Sequence, residues 1–233
     1  IGKSALLKVA IAEDSSRGIV PVMIKPNDIL ELSVDATDFL HTIRNWQDGL
    51  TEIVIRKVLS EFGLRLPDAV DFRRLRGSIV GYLVNILGRN LENGASERFA
   101  KKRSQVSRFI DSPRIAVYVD DLDRGWQGRR EDVTRISALL NAVRDLSNDN
   151  REIHFRIALR SDVYYLVRTS DESTDKIEGS VVWHTWTNHE IFVLLIKRIE
   201  TYFGRTINER ELLLRRPIAL AQYLEPIMEP RFS

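Results

Sequence analysis

The sequence predicts an α/β fold in three layers, built on a mainly parallel sheet. Three observations predict it. Residues 115–119 (Ile-Ala-Val-Tyr-Val) are an unbroken apolar run, the pattern of a strand covered on both faces. The run ends in three crowded carboxylates, Asp120, Asp121 and Asp123. Ligands of open α/β sheets bind at the carboxyl ends of strands, and crowded acids are best tolerated beside a cation. Short strand-like runs also alternate with longer helical patterns, the order expected of parallel strands joined by helical crossovers.

The elements can be taken in chain order. Residues 4–12 are rich in helix formers and give way to a polar turn cluster at 13–18. Residues 19–24 read as a strand, with Pro21 favouring an edge or a strand start. Asp35 or Thr37 can cap the next helix, whose stripe is Phe39, Ile43, Trp46, Leu50 and Ile53. It runs to about Phe62 and stops at Gly63. Residues 69–92 read as one further helix, and 93–112 as a polar, basic connection. After the acidic strand, residues 125–132 form a charged loop. Val133, Ile136, Leu139, Leu140 and Val143 then mark an amphipathic helix. Ile153, Phe155, Ile157 and Leu159 alternate as a strand. Residues 181–203 read as mostly helical, with Thr187 or Asn188 as a cap. Pro217, Pro226 and Pro230 interrupt residues 205–233, which read as helical only in part.

Composition narrows the function classes. The 233 residues are 43% hydrophobic and 29% charged, with a net charge of +2. A sizeable core is expected, and no strong electrostatic claim on nucleic acid. With no cysteine, a disulfide framework and cysteine-ligated zinc are excluded, and a reducing, cytoplasmic setting fits. No apolar run approaches the roughly 18–20 residues that span a bilayer, so no membrane association is expected. The chain has neither a secretory signal nor an initiator Met, and it reads as a piece of something longer.

Gly2-Lys3-Ser4 opens the first helix and matches the end of the phosphate-binding pattern G-x-x-x-x-G-K-[ST]. In that pattern backbone N–H groups wrap the phosphates, the lysine reaches the β and γ phosphates, and the hydroxyl binds Mg²⁺. The loop's first half and the strand before it would lie upstream of Ile1. Asp120, the first acid after the strand, fits a Mg²⁺ position beside that hydroxyl. Asp121 points elsewhere and can address a nucleophilic water. Asp123 and Arg124 are read as a pair bracing the loop. Arg124 in a charge-stabilising role is the alternative, with Arg129 and Arg130 as further candidates for contact with a neighbouring subunit. Arg160, after the next strand, either senses a γ-phosphate or pairs with Asp162. Arg156 places a charge within a strand that should be covered, so it lines an interface or pairs with a buried acid. The basic clusters at 73–76, 101–103 and 215–216 read as solvated faces before nucleic-acid sites.

Gly-Lys-Ser, the strand ending Asp120-Asp121-Leu122-Asp123-Arg124, the end Ile157-Ala-Leu-Arg160-Ser-Asp162 and the tryptophan-centred segment leading to Lys197-Arg198-Ile199 resemble bacterial P-loop ATPases of the STAND and KAP type. Such ATPases are common in multidomain conflict and antiphage defence proteins. The resemblance covers most of residues 1–203. It implies an additional-strand (ASCE) P-loop core over residues 1–180, its first strand outside the chain, and a helical lid over 181–233. It implies Lys3 and Ser4 as Walker A residues, Asp120 and Asp121 as Walker B, and Arg160 as a sensor arginine. Gly2, Lys3, Ser4, Ala5 and Asp120 would hold ATP, and Ser4 and Asp120 would hold Mg²⁺. Asp121, Lys3 and Arg160 would carry the chemistry. Arg215 and Arg216 are candidates for a lid arginine. KAP members often carry transmembrane insertions, and this chain has none.

The expected activity is slow ATP hydrolysis that couples nucleotide state to homo-oligomer assembly or to effector and sensor domains elsewhere in the full protein. Two other readings fit the same residues: a scaffold that holds nucleotide without turnover, and a DNA-remodelling or origin-type ATPase.

Overall fold

A computed structural model describes residues 2–30, 38–93, 97–170 and 172–224. The chain divides into two compact units, Ile1–Gly179 and Ser180–Ser233.

The first unit opens with α1 (Lys3–Ser16), four residues longer at its end than the helix formers alone suggest. The Ser15 and Ser16 hydroxyls donate to Ile11 O and Glu13 O, and buried Asp14 holds the last turn against the sheet. The turn is displaced to Arg17-Gly18, where Gly18 takes φ 77°, a conformation open to glycine. The edge strand β1 (Val20–Ile24) comes next. Its end position explains how Pro21 is accommodated. A short α2 (Pro26–Leu30) starts at proline, and Asp28 accepts from Lys25 N and pairs with Lys57. Asp35 and Thr37, the expected caps, lie outside the described residues. Asp38 caps α3 (Phe39–Glu61), accepting from Leu40 N and His41 N.

α3 buries Trp46, Leu50 and Ile53 as its stripe requires, each worth roughly 1.5–3 kcal/mol or more of transfer free energy. It ends before Gly63, which adopts φ 79°. The single helix expected over 69–92 is instead two, α4 (Phe72–Leu75) and α5 (Ile79–Asn93). The break is stabilised from a distance. The Asn150 side chain accepts from Ile79 N and donates to Arg76 O, holding the start of α5 from a remote position. The basic stretch 97–111 is also helical, as α6 (Glu97–Lys101) and α7 (Arg103–Asp111). Buried Phe99, Val106 and Phe109 anchor it.

β2 (Ile115–Val119) is buried at every position. α8 (Arg130–Asp149) begins inside the expected charged loop, and Asp132 accepts from Gln127 N and Arg129 N there. β3 (Ile153–Ile157) stops before Leu159. α9 (Ser161–Ser170) and a 3₁₀ run, Glu172–Ser180, complete this part of the chain.

The sheet is parallel, in the order β1-β2-β3, with Ile115 opposite Val20 and Ile153. One face carries Val20, Val22, Ile24, Ile115, Val117 and Val119 into the main core with α3, α5 and α8. The other face presents Ala116 and Tyr118 to Leu7, Ala10 and Ile11 of α1. The architecture is therefore mixed α/β, with a small parallel sheet whose central strand is covered on both faces.

In the second unit α10 (Asn188–Tyr202) starts later than expected. Thr187 caps it, reciprocated by Glu190 in a capping box. α11 (Glu209–Leu214) and α12 (Pro217–Leu220) come after it, with Pro217 at the first turn of a helix and not breaking one. Val193, Ile196, Leu212 and Leu220 form this unit's own core. Pro226 and Pro230 lie outside the described residues. Among the described residues, no helix is long and apolar enough to cross a membrane.

Candidate functional site

The carboxyl end of β2 positions the acids. Asp120 N donates to Ile24 O at 3.3 Å and Ala158 N to Val119 O at 2.9 Å, so both neighbouring strands hold the main chain up to the first acid. Asp120 is only 6% exposed. One of its carboxylate oxygens accepts from Asp121 N at 3.0 Å. No cation pairs with it among the described residues. A buried carboxylate without a counter-ion is costly. No cluster of three or more His, Cys, Asp or Glu side chains is assembled among the described residues.

Asp121 is exposed, and its backbone takes φ 57°. It is the one non-glycine residue in the left-handed region among those described. Asp tolerates this conformation better than most residues, and strain of this kind is concentrated at functional sites. The chain then turns, with Arg124 N donating to Asp121 O and Trp126 N to Asp123 O. Leu122 and Trp126 fasten the loop to Ile136, Leu140, Val163 and Val167.

Asp123 does not pair with Arg124, as the sequence suggests. Its nearly buried carboxylate accepts from Lys3 Nζ at 3.2 Å and lies 3.8 Å from Arg160 Nε. Lys3 and Asp123 are 120 positions apart, so only the tertiary fold brings them together. Arg124 is exposed, with no ion-pair partner among the described residues. The loop is braced instead by its apolar residues and by the α1 lysine.

Arg160 also grips Asp162 through two hydrogen bonds, at 3.1 and 2.6 Å. The hydrogen bond from Arg160 is the main reason the exposed Asp162 carboxyl is held below its ordinary value. The pairing with Asp162 is thus present, and the same guanidinium lies beside Asp123 on the acid rim.

Gly2 caps α1 in the left-handed region at φ 92°, with no side-chain cap. Ser4 and Ala5 are exposed in the first turn, which contains no acid. Its free N–H groups and the helix dipole favour an anion there. Arg129 and Arg130 are exposed where α8 begins. Arg215 and Arg216 are exposed in the second unit, and Arg215 donates to the Tyr223 hydroxyl. Several cations of the basic clusters are paired within the protein, Arg76 with Asp48, Arg74 with Asp71, Lys101 with Glu97 and Lys102 with Glu61.

Sequence reasoning missed Asp14. Arg156 pairs with it and with the Tyr118 hydroxyl, which accounts for a charge within the strand. The available signal was an acid on the apolar stripe of α1, in step with Leu7, Ala10 and Ile11. No family model, no curated protein and no solved structure matches this chain.

Proposed function

We propose that this chain is a Mg·ATP-binding module that hydrolyses ATP slowly and couples nucleotide state to oligomer assembly or to effector domains of a larger protein. The observation that carries the reading is the contact of Lys3 with Asp123. It sets the uncapped start of α1 beside the acid-ended strand, bringing phosphate-binding and cation-binding chemistry to one rim. Gly2, Lys3, Ser4 and Ala5 would take the phosphates. Ser4 and Asp120 would hold Mg²⁺, which would neutralise phosphate charge. Asp121, exposed beside them, would orient the attacking water and accept its proton. Arg160 would exchange Asp162 for the γ-phosphate.

The sheet supports a P-loop arrangement. α1 covers the face opposite α3 and α8. A right-handed connection from a strand through α1 into β1 would run that strand along the outer edge of β3. The pairing of Arg160 with Asp162 favours a second reading, a module that holds nucleotide without turnover.

ATP binding and turnover of the full-length protein test both. Lys3→Ala is expected to abolish binding, Asp120→Asn to abolish the Mg²⁺ requirement of binding, and Asp121→Asn to bind without turnover. Unchanged hydrolysis in Lys3→Ala and Asp121→Asn would sink the ATPase reading. Tight binding with no turnover in wild type would select the scaffold.

A further inference from the structure

On the face of the sheet that α1 covers lies a polar cluster, away from the rim, around one buried carboxylate. The Asp14 side chain, in the last turn of α1, is 3% exposed. It accepts hydrogen bonds from the Tyr118 hydroxyl and from Arg156 Nη1, which also donates to that hydroxyl. The Arg156 guanidinium carbon lies 5.2 Å from the Tyr118 ring centre, within cation–π range. Tyr118 and Arg156 are register partners on β2 and β3. Asp14 O also accepts from Ile19 N at 3.0 Å, closing the turn into β1.

These three side chains belong to the three elements that build the rim. α1 carries Lys3 and Ser4, β2 leads into Asp120 and Asp121, and β3 leads into Arg160. The remaining contact of α1 with the sheet is smooth: Leu7, Ala10 and Ile11 against Ile19, Met23, Ala116 and Ala158. Apolar contacts are non-directional, whereas hydrogen bonds fix both distance and angle. α1 is a stiff rod, so a shift at Asp14 reappears at Lys3, about 16 Å along the axis at 1.5 Å per residue.

We propose that Asp14, Tyr118 and Arg156 are positioning residues: they set the axial and rotational position of α1, and with it the placement of Lys3 and Ser4 against Asp120 and Asp121. The consequence for catalysis rests on the nucleotide reading of the rim, and the mechanical claim does not.

The chain contains no cysteine, so two introduced ones label cleanly. Val9→Cys lies on α1 at a position 58% exposed, and Glu131→Cys is exposed at the start of α8. Spin labels there report the distance from α1 to the rim by double electron–electron resonance, without nucleotide. A narrow distribution is expected in the otherwise wild-type chain. Asp14→Asn and Arg156→Met should each broaden or displace it. Tyr118→Phe, which keeps the ring and removes the hydroxyl, should do so less, and Arg156→Lys should recover part of the wild-type distance. An unchanged distribution in folded Asp14→Asn, Arg156→Met and Tyr118→Phe overturns the proposal. If the first two do not fold, Tyr118→Phe and Arg156→Lys decide it by the same reading. In the ATPase assay, turnover should fall about tenfold or more with a smaller loss of nucleotide affinity, as for small misplacements of reacting groups. Equal losses in both would mark general disruption and count against positioning. A wild-type protein that neither binds nor hydrolyses ATP removes the nucleotide reading, and the spin-label distances still judge the clamp.

Discussion

Two ion-pair clusters tie α1 to the sheet, and they are built differently. At the rim, Asp123 holds Lys3 at 3.2 Å and Arg160 at 3.8 Å, and Arg160 is shared with exposed Asp162. At the far end of α1, Asp14, Tyr118 and Arg156 all bond one another. The rim cluster is shared: Arg160 stands between two carboxylates and can change partners at little cost. The far cluster is closed around a buried carboxylate, whose satisfaction depends on two specific neighbours. One protein thus separates holding from exchanging, with the mutually bonded contact on a buried carboxylate and the shared one at the rim.

The largest effect expected from breaking this contrast is on stability at the far cluster. Removing one partner of a fully buried pair costs about 3–5 kcal/mol. Arg156 is 43% exposed at its side chain, so Arg156→Met is expected to lose less, on the order of 2–3 kcal/mol in urea denaturation. A loss below about 0.5 kcal/mol would place the far cluster with ordinary surface pairs.

The pH dependence arises from the same residues. Burial works to raise the Asp14 carboxyl, and hydrogen bonds from Tyr118 and Arg156 with the charges of Arg156 and Arg17 outweigh it, leaving it below its ordinary value of 3.8. A depressed folded value stabilises the native state above the unfolded value and is lost as pH falls through the folded one. The stability gap between wild type and Asp14→Asn is therefore expected to be constant near neutrality and to close below about pH 4, read by urea midpoints at a series of pH values. At the alkaline end Tyr118 is pushed up to about 12 by burial, and next by its hydrogen bond to Asp14. Its contribution is present below about pH 10 and is lost as pH rises through the folded value. Ultraviolet titration should show the step near pH 12 in wild type diminished by one tyrosine in Tyr118→Phe.

The smallest stability effect belongs to the rim. Lys3→Ala is expected to change stability by under about 1 kcal/mol, even though it is the variant expected to abolish ATP binding. A large stability loss there would erase the contrast between an exchanging rim and a holding base.

The acid-ended strand was legible because burial on both faces leaves a continuous apolar run, as in residues 115–119. The stripe of α3 and the cap at Thr187 were legible for similar local reasons. The helices over 97–111 were not, since their charges mask only three buried side chains, Phe99, Val106 and Phe109. The break between α4 and α5 was hidden because its stabilising partner, Asn150, is remote in sequence. Within the site, residue types were legible and partners were not. Asp123 and Arg124 are neighbours in sequence, but the carboxylate turns to Lys3 and Arg160.

By itself the sequence determined the α/β class, the acids at the end of β2, the glycine-opened helix and the lack of thiol chemistry. Each depends on local pattern: apolar periodicity, an abrupt change from apolar to acidic, and composition. Only the tertiary structure decided that Asp120 is buried without a counter-ion among the described residues, that Lys3 meets Asp123, and that Asp14 satisfies Arg156. Those outcomes depend on which groups the parallel sheet and α1 bring within a few ångströms. Charges choose partners by distance and burial, and neither is a local property of the chain.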